Sequence, residues 1–453
     1  MRRSSLLVCL FDLVALAGCP DRTIDSVTPE QGKVETKDIP TQRRGADILF
    51  VIDNSGSMKE EQDSLRANFG KMMQVLETLD GGMPDVHIGV TTSDMGTSAE
   101  DGTTDGSKFG CNGTGDDGQL RTAPVVTGRY IADDGHGAKN YSGTLDDAFS
   151  ALADVGTMGC GIEQHLRGME RALQNPLNTG FVRDDAYLAV VVIGDEDDCS
   201  LAHQGLFDSS TVADTVNFAC TSDGVDCDQP DMTTPGKRTS CRANDHARWT
   251  QTADHFAQFL KTQKSDPRDV VAAGIVGETT PFAVTTKNNV SVLAPSCTYA
   301  GPTGDQTAFP AVRTTEFLAQ FESRSNSTIC GADLQQGMVQ IGALLKGKFG
   351  DPCFEGQVAD ADPSTPELDP DCSVSEVKRV PGGGDVELDL ISACSQTSNA
   401  PPCWRVVEDA VNCSYTHTDP HLELVIDRGS AVVDPAIHIR ASCVTVDPTG
   451  SQF

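Results

Sequence analysis

Short runs of apolar and β-branched residues divide the chain into strand and helix units. Residues 47–52, 187–193 and 269–277 are such runs, and each is bounded by polar or turn-forming residues. Continuous apolar runs of this length are typical of strands that are buried on both faces of a parallel sheet. Residues 86–92 give one further strand. The sequence therefore predicts at least four strands in one buried sheet.

Helical periodicity fills the intervals between these strands. Residues 59–79, 162–173 and 245–264 each carry apolar side chains at spacings of three and four, which places them on one helix face. Alternation of strands with amphipathic helices predicts an α/β fold, with a mostly parallel sheet and helices on both faces.

The pattern changes after residue 350. Prolines, a Gly-Gly-Gly run and six cysteines interrupt the remaining hundred residues, and strand-like runs occur at 422–427 and 436–441. A segment this small buries little apolar surface, so disulfides would be needed to stabilise it. We predict a body at residues 46–350 and a small, disulfide-rich β appendage at residues 351–453.

The first 45 residues predict an export signal and a tether. Arg2 and Arg3 precede a short apolar segment that ends in Leu16-Ala17-Gly18-Cys19, a sequence that resembles a bacterial lipobox. Cleavage before Cys19 would remove residues 1–18 and leave a lipid on the Cys19 sulfur. Residues 19–45 are polar, with no periodicity, and are interpreted as a tether. We therefore expect a cell-envelope protein, on the periplasmic face or the cell surface, that meets the membrane only through its lipid anchor.

Oxygen-bearing side chains follow two of the predicted buried strands. Asp53, Ser55 and Ser57 come directly after residues 47–52, and Asp195 comes after residues 187–193. The carboxyl ends of parallel strands meet at one edge of a sheet, where open α/β sheets bind their ligands. Carboxylate and hydroxyl oxygens are donors that a hard divalent cation prefers.

The Phe-Val-Ile-Asp-x-Ser-x-Ser sequence at residues 50–57 resembles the metal-ion-dependent adhesion site of von Willebrand factor type A domains. This resemblance covers residues 46–350 and implies a doubly wound α/β sheet. It also implies that Asp53, Ser55, Ser57 and Asp195 bind Mg²⁺, or Mn²⁺ or Ca²⁺. In that family, an open coordination position on the ion accepts a Glu or Asp carboxylate from a protein partner.

The resemblance also implies a threonine from a loop ahead of a helix. Thr157 precedes the helix at 162–173, whereas counting back from Leu166 in that helix reaches Cys160. Two alternatives stay open: Thr157 reaches the ion through a longer loop, or the position is lost and water replaces it. The resemblance places Cys160 and Cys199 in loops beside the site, which implies a disulfide between them.

The cysteine count and the net charge limit the kinds of protein and partner that are compatible with the sequence. Of 16 cysteines, 14 remain after Cys9 and Cys19, and an even number in an exported chain indicates disulfides. The formal charge of −32 argues against nucleic acid as a partner.

The sequence contains neither the HExxH motif nor the GxSxG motif, and we expect that the protein is not an enzyme. The leading hypothesis is a lipid-anchored protein that binds a protein partner through a divalent cation. The alternatives are a structural envelope protein that holds no metal and, third, an uncharacterised enzyme.

Overall fold

A computed structural model of the chain describes residues 33–40, 45–79, 82–103, 111, 113–206, 216–350, 352–362, 364, 368–380, 384–394, 401–410, 413, 416, 419–429 and 436–446. The structural statements that follow concern these residues. The predicted signal peptide at residues 1–18 and the predicted lipidation residue Cys19 lie outside them.

The described ranges contain 23 β-strands, numbered in chain order. They are β1 Lys33–Pro40, β2 Ala46–Ile52, β3 Val86–Thr92, β4 Ser98–Ala99, β5 Gly102–Thr103, β6 Ile131–Asp133, β7 Tyr187–Gly194, β8 Val225–Asp226, β9 Gly236–Arg238, β10 Arg242–Ala243, β11 Val270–Val276, β12 Phe282–Lys287, β13 Val290–Leu293, β14 Cys297–Gly301, β15 Gly304–Ala308, β16 Ser323–Thr328, β17 Gln357–Val358, β18 Cys372–Lys378, β19 Val386–Leu390, β20 Ser392–Ala393, β21 Cys403–Glu408, β22 Leu422–Asp427 and β23 Ile437–Val446.

Seven α-helices accompany these strands. They are α1 Lys59–Glu77, α2 Leu145–Leu152, α3 His165–Gln174, α4 Val216–Gly224, α5 Ala253–Lys261, α6 Val312–Ala319 and α7 Gln335–Lys348. Within the part of the chain that the structure describes, no helix is both long enough and apolar enough to cross a membrane.

The largest sheet has six strands in the order β16-β11-β7-β2-β3-β6. Its pairings are parallel, except that β6 pairs with β3 in the antiparallel direction. Every residue of β2, β7 and β11 is buried, because side chains of each strand alternate between two apolar layers. The parallel arrangement brings the carboxyl ends of β2 and β7 to the same edge of the sheet.

The two layers contain different helices. Ile48, Phe50 and Ile52 face a cluster that includes α1, α2 and α7, and the rings of Phe50 and Phe149 lie 4.9 Å apart between centroids. Leu49 and Val51 face the other cluster, which includes α3, α5 and α6. This packing fixes the end of β2, where the polar loop begins, from both sides.

The predicted fold class is wrong for this chain. A doubly wound, mostly parallel α/β sheet with one small appendage leaves out most of the observed strands. The described residues form seven separate sheets, and the pairings outside the largest sheet are antiparallel except β20 with β21. The fold is mixed because long segments between the buried strands make their own antiparallel hairpins, such as β12–β13 and β14–β15.

The segment interpreted as a tether contains a strand. β1 pairs with β23 over its whole length, from Lys33 opposite Thr445 to Pro40 opposite His438. The tether interpretation therefore does not hold for residues 33–40. Its sequence shows no periodicity because β1 lies at the edge of its sheet and its first residues are exposed.

Seven disulfides join the described cysteines. The pairs are Cys111–Cys160, Cys199–Cys220, Cys227–Cys241, Cys297–Cys330, Cys353–Cys413, Cys372–Cys443 and Cys394–Cys403. The expected bond between Cys160 and Cys199 is wrong, since each pairs with a cysteine in a different segment. This many disulfides is characteristic of an exported or cell-surface protein.

Candidate functional site

The loop after β2 presents one carboxylate and two hydroxyls to a single point. The Asp53 backbone N–H donates to the carbonyl of Ile193 at 2.9 Å, which holds the ends of β2 and β7 together. Asp53 Oδ1 accepts the Ser55 backbone N–H at 2.7 Å, and the Ser55 and Ser57 hydroxyl oxygens lie 3.1 Å apart. Asp53 is fully buried, yet its Oδ2 has no hydrogen-bond partner.

Asp195 brings a second carboxylate to the same place from the end of β7. It is buried, and its Oδ1 also has no hydrogen-bond partner. Its carboxyl lies beside the Ser57 hydroxyl and the Asp53 carboxyl. The structure thus brings together Asp53, Ser55, Ser57 and Asp195, four of the five residues predicted as metal ligands.

The two carboxylates repel each other in a buried setting. Burial, followed by the charge of Glu196, raises the pKa of Asp53 to about 7. Burial, followed by the charge of Asp53, raises the pKa of Asp195 well above its ordinary value. A buried cluster of this kind is stabilised when a cation neutralises it.

The loop at residues 156–161 contacts this site through its backbone. The Gln62 side-chain amide donates to the carbonyls of Asp53, at 3.0 Å, and Gly156, at 2.9 Å. The Gly159 N–H donates to the Asn54 carbonyl at 2.9 Å. A Cβ atom at Gly159 would collide with the Asn54 side chain, which would then have to move.

Thr157, the uncertain fifth ligand, lies in this loop and is half-buried. Among the contacts found for the described residues, none joins its hydroxyl to the residues at the ends of β2 and β7. The neighbouring Met158 is 94% exposed, which shows that this part of the loop faces outward. Thr157 as a cation ligand therefore stays a prediction.

Two further acidic residues, Glu163 and Glu196, approach the cluster. The sequence analysis did not assign either of them to the site. Glu163, two residues before α3, is buried, and its carboxylate lies within electrostatic reach of Asp53, Asp195 and Glu196. Burial, followed by the Glu196 charge, raises the pKa of Glu163 well above its ordinary value. An acidic residue at the start of the predicted helix at 162–173 was the available signal, but counting back from Leu166 led to Cys160.

The next two carboxylates in the acidic run after β7 have structural partners. Asp197 accepts the backbone N–H groups of Arg313, at 2.9 Å, and Thr314, at 3.0 Å, at the start of α6. Asp198 forms a buried ion pair with Arg313, with 3.1 Å between Oδ2 and Nη2. The run therefore divides into Asp195 and Glu196, which approach the cluster, and two residues that fix the loop.

These donors fit a hard divalent cation. The Oδ2 atom of Asp53 and the Oδ1 atom of Asp195 are buried and unpartnered, and two hydroxyls lie next to them. Oxygen donors of this kind suit Mg²⁺, Mn²⁺ or Ca²⁺, whereas zinc in structural sites prefers Cys and His ligands.

A second group of possible ligands consists of Glu100, Glu170 and His255. His255 Nε2 lies 3.2 Å from Glu170 Oε1, and Arg167 Nη1 lies 3.1 Å from Glu170 Oε2 and 3.7 Å from Glu100 Oε1. The Gln251 side chain also donates to Glu100 at 2.8 Å. Because Arg167 already neutralises these carboxylates, the group is an ion-pair network between α3 and α5.

Comparisons with known proteins give no family. No protein-family profile matches the chain, and no curated protein matches it. A solved structure with limited similarity is the pilus adhesin SpaC from Lactobacillus rhamnosus GG, with a TM-score of 0.32 and 9% identity over 92% of this chain and 41% of that chain.

Two other solved structures give similar values. Proximal thread matrix protein 1 from the mussel byssus has a TM-score of 0.32 and 12% identity over 71% of this chain and 52% of its own. The pilus adhesin RrgA from Streptococcus pneumoniae has a TM-score of 0.27 and 9% identity over 91% of this chain and 58% of its own. The chain spans less than two thirds of each of these proteins, and scores this low do not establish a shared fold.

Proposed function

We propose that this exported protein binds a protein partner through a divalent cation held by Asp53, Ser55, Ser57 and Asp195. The observation that carries the proposal is the pair of buried, unpartnered carboxylate oxygens, Asp53 Oδ2 and Asp195 Oδ1. Leaving such groups without a cation costs folding free energy, and a cation removes this cost. When bound, the cation would offer an open coordination position to a carboxylate. This use of the site follows the resemblance to type A adhesion sites.

The surroundings of the site suit contact with a partner. Gly56 and Ser57 are exposed above the buried Asp53, so a partner can reach the hydroxyl side of the cluster. Met158 supplies a fully exposed apolar side chain on the adjoining loop. A partner surface that places a Glu or Asp carboxylate near an apolar patch would match both features.

Cation binding is expected to raise the melting temperature. At a concentration a hundred times the dissociation constant, a bound cation stabilises the folded state by about 2.7 kcal/mol. We expect Mg²⁺, Mn²⁺ or Ca²⁺ to raise the melting temperature above its value in EDTA, and we expect Asp53→Ala to abolish this rise. Differential scanning calorimetry of the full exported chain measures both.

The control for this experiment is Asp134→Ala, which follows β6 at the opposite end of the largest sheet from the cluster and should keep the full cation effect. Equal melting temperatures in EDTA and in each cation would favour the structural alternative, a protein that holds no metal. A peptide library screened with cation and with EDTA then tests the partner. Peptides that bind only with cation should be enriched in Asp or Glu.

We further propose that Cys19 carries a lipid that attaches the protein to a bacterial membrane. The support is the Leu-Ala-Gly-Cys sequence that ends the apolar segment. Cys19→Ala is expected to move the protein from the membrane fraction to the soluble exported fraction, since a lipid chain supplies the membrane affinity. Fractionation followed by immunoblotting measures this, with Cys9→Ala as the matched control that should remain in the membrane. Retention of the Cys19→Ala variant in membranes would contradict lipidation at this residue.

A further inference from the structure

Glu163 is a buried carboxylate whose position the proposed ligand set does not explain. It is 1% exposed, and its Oε1 atom has no hydrogen-bond partner. Its carboxyl is hydrogen-bonded to that of Glu196 and lies within electrostatic reach of Asp53 and Asp195. A glutamate side chain is long and soluble, so burial in this setting indicates that something holds it there.

The backbone on both sides of Glu163 is fixed. Its carbonyl accepts the Cys199 N–H at 2.7 Å, and the next residue, Gln164, donates its N–H to the Ser93 carbonyl at 3.1 Å. Leu201 N–H donates to the Gln164 side chain at 3.0 Å. Glu163 is therefore tied to the loops after β3 and β7.

Two disulfides strengthen this fixation. Cys160, three residues before Glu163, is bonded to Cys111, and Cys199 is bonded to Cys220. The loop cannot easily carry the Glu163 side chain out to water. Its carboxylate therefore stays buried, within electrostatic reach of the carboxylates at the strand ends.

Thr157 differs from Glu163 in burial. It lies six residues earlier, next to the fully exposed Met158, and its hydroxyl has no described contact with the cluster. Of the two residues in this part of the chain, Glu163 is the buried one, and its Oε1 atom has no hydrogen-bond partner. The third loop therefore presents a carboxylate to the site, where the resemblance implies a neutral hydroxyl.

A third carboxylate changes which cation the site prefers. Asp53, Glu163 and Asp195 together can bring three negative charges and up to six oxygen atoms, and two serine hydroxyls add more. Ca²⁺ takes six to eight oxygen ligands and gains affinity with ligand charge. Mg²⁺ keeps several waters and is usually held by about one or two carboxylates.

We propose that Glu163, and not Thr157, is the third-loop ligand of the cation, and that its charge makes the site select Ca²⁺ over Mg²⁺. This inference rests on the proposed cation site at Asp53 and Asp195. It concerns a residue that the Asp-x-Ser-x-Ser motif does not contain.

The test is calorimetric titration of the full exported chain with CaCl₂ and with MgCl₂ after chelator treatment. We expect the wild-type protein to bind Ca²⁺ at least tenfold more tightly than Mg²⁺. Glu163→Gln keeps the shape of the side chain and removes its charge, and it should reduce this preference to threefold or less. Glu163→Thr should do the same, because it also removes the charge. Thr157→Ala should change either dissociation constant by no more than twofold.

Folding is checked separately, by the melting temperature in EDTA and by the count of free thiols. Because burial already disfavours the ionised form of Glu163, the melting temperature of Glu163→Gln in EDTA should be equal to or above that of the wild type. The inference is wrong if Glu163→Gln keeps the wild-type preference for Ca²⁺. It is also wrong if Thr157→Ala weakens cation binding as much as Glu163→Gln does.

Asp53→Asn separates this inference from the proposed function. If Asp53→Asn abolishes binding of both cations and Glu163→Gln leaves the preference unchanged, only the role of Glu163 is wrong. If Asp53→Asn binds both cations as the wild type does, the cation site itself is wrong.

Discussion

Arg313→Met is expected to lower the free energy of unfolding by about 3–5 kcal/mol, the cost typical of leaving one charge of a buried ion pair without its partner. Arg313 is 1% exposed. Its guanidinium donates to the Asp198 carboxylate at 3.1 Å and to the carbonyls of Asp198, at 2.9 Å, and Gln251, at 2.5 Å. The variant would remove the donor from each of the two carbonyls. It would also leave the Asp198 charge buried without its cation, although Leu166 and Ser200 would still donate to this carboxylate. Urea denaturation followed by circular dichroism measures the loss.

The same variant tests whether Arg313 positions the loop that carries Asp195. Asp198 lies three residues after Asp195 in the same loop. Loss of the Arg313–Asp198 ion pair should therefore loosen this loop and also weaken cation binding. Arg324→Met is the matched control, because Arg324 is exposed on β16 and donates to only one carbonyl, that of Phe321, at 2.7 Å. It should change stability by less than about 0.5 kcal/mol. The double variant Arg313→Met with Asp198→Asn should recover part of the loss, and a loss below about 1 kcal/mol for Arg313→Met would contradict the prediction.

With chelator present, the wild-type protein is expected to lose stability relative to Asp53→Asn as the pH rises from about 4 to about 7. Burial and the charge of Glu196 raise the pKa of Asp53 to about 7, from an ordinary value of 3.8. Between these values the folded chain keeps a proton that the unfolded chain has lost. Each pH unit then shifts the unfolding equilibrium toward the unfolded state by up to about tenfold, the limit for one proton.

The sign and the range of this effect follow from the direction of the shift. Below pH 3.8 the folded and unfolded states both carry the proton, so Asp53 does not make stability depend on pH. Above about pH 7 both states have lost the proton, and the loss of stability is complete and constant. A saturating cation should reduce the slope, because it binds the ionised carboxylate. Urea midpoints collected at pH intervals measure the difference between the two proteins.

Asp134→Asn serves as the control for the pH series. The backbone N–H groups of His136 and Ala138 lower the pKa of Asp134, so its stabilising contribution is lost only as the pH falls below the ordinary range. The stability of this variant should therefore differ from that of the wild type by a constant amount from pH 4 to pH 7. A constant difference between wild type and Asp53→Asn across the same range would show that Asp53 is ionised at ordinary pH in the folded protein.

The grouping of Asp53, Ser55, Ser57 and Asp195 could be predicted because each follows a buried strand directly. A strand of seven or eight buried residues is recognisable without knowledge of its neighbours, and parallel pairing then brings the strand ends together. Glu163 could not be found in this way. It follows a loop, and its approach to the cluster depends on hydrogen bonds from residues such as Cys199 that are distant in the sequence.

The disulfide pairing and the fold class failed for the same reason. Each depends on contacts between segments that carry no periodic pattern. Cys160 pairs with Cys111 from the glycine-rich segment after β3, which the strand pattern does not place. The hairpin β14–β15 and the edge strand β1 are likewise polar, and neither shows a periodic apolar pattern. Periodicity identifies elements that face a common core, and it does not detect hairpins that lie over the surface.

If Cys19 carries the proposed lipid, the pairing of β1 with β23 has a mechanical consequence. The covalent path from Cys19 to Asp53 passes through β1, whose eight residues, Lys33 to Pro40, each lie opposite a residue of β23. The Asp38 carboxylate adds two hydrogen bonds from the Arg440 guanidinium, at 2.8 and 2.9 Å. Tension between the membrane and a bound partner would therefore act first on this ladder. The C-terminal sheet would bear the load before it reached the strands that hold the cation site.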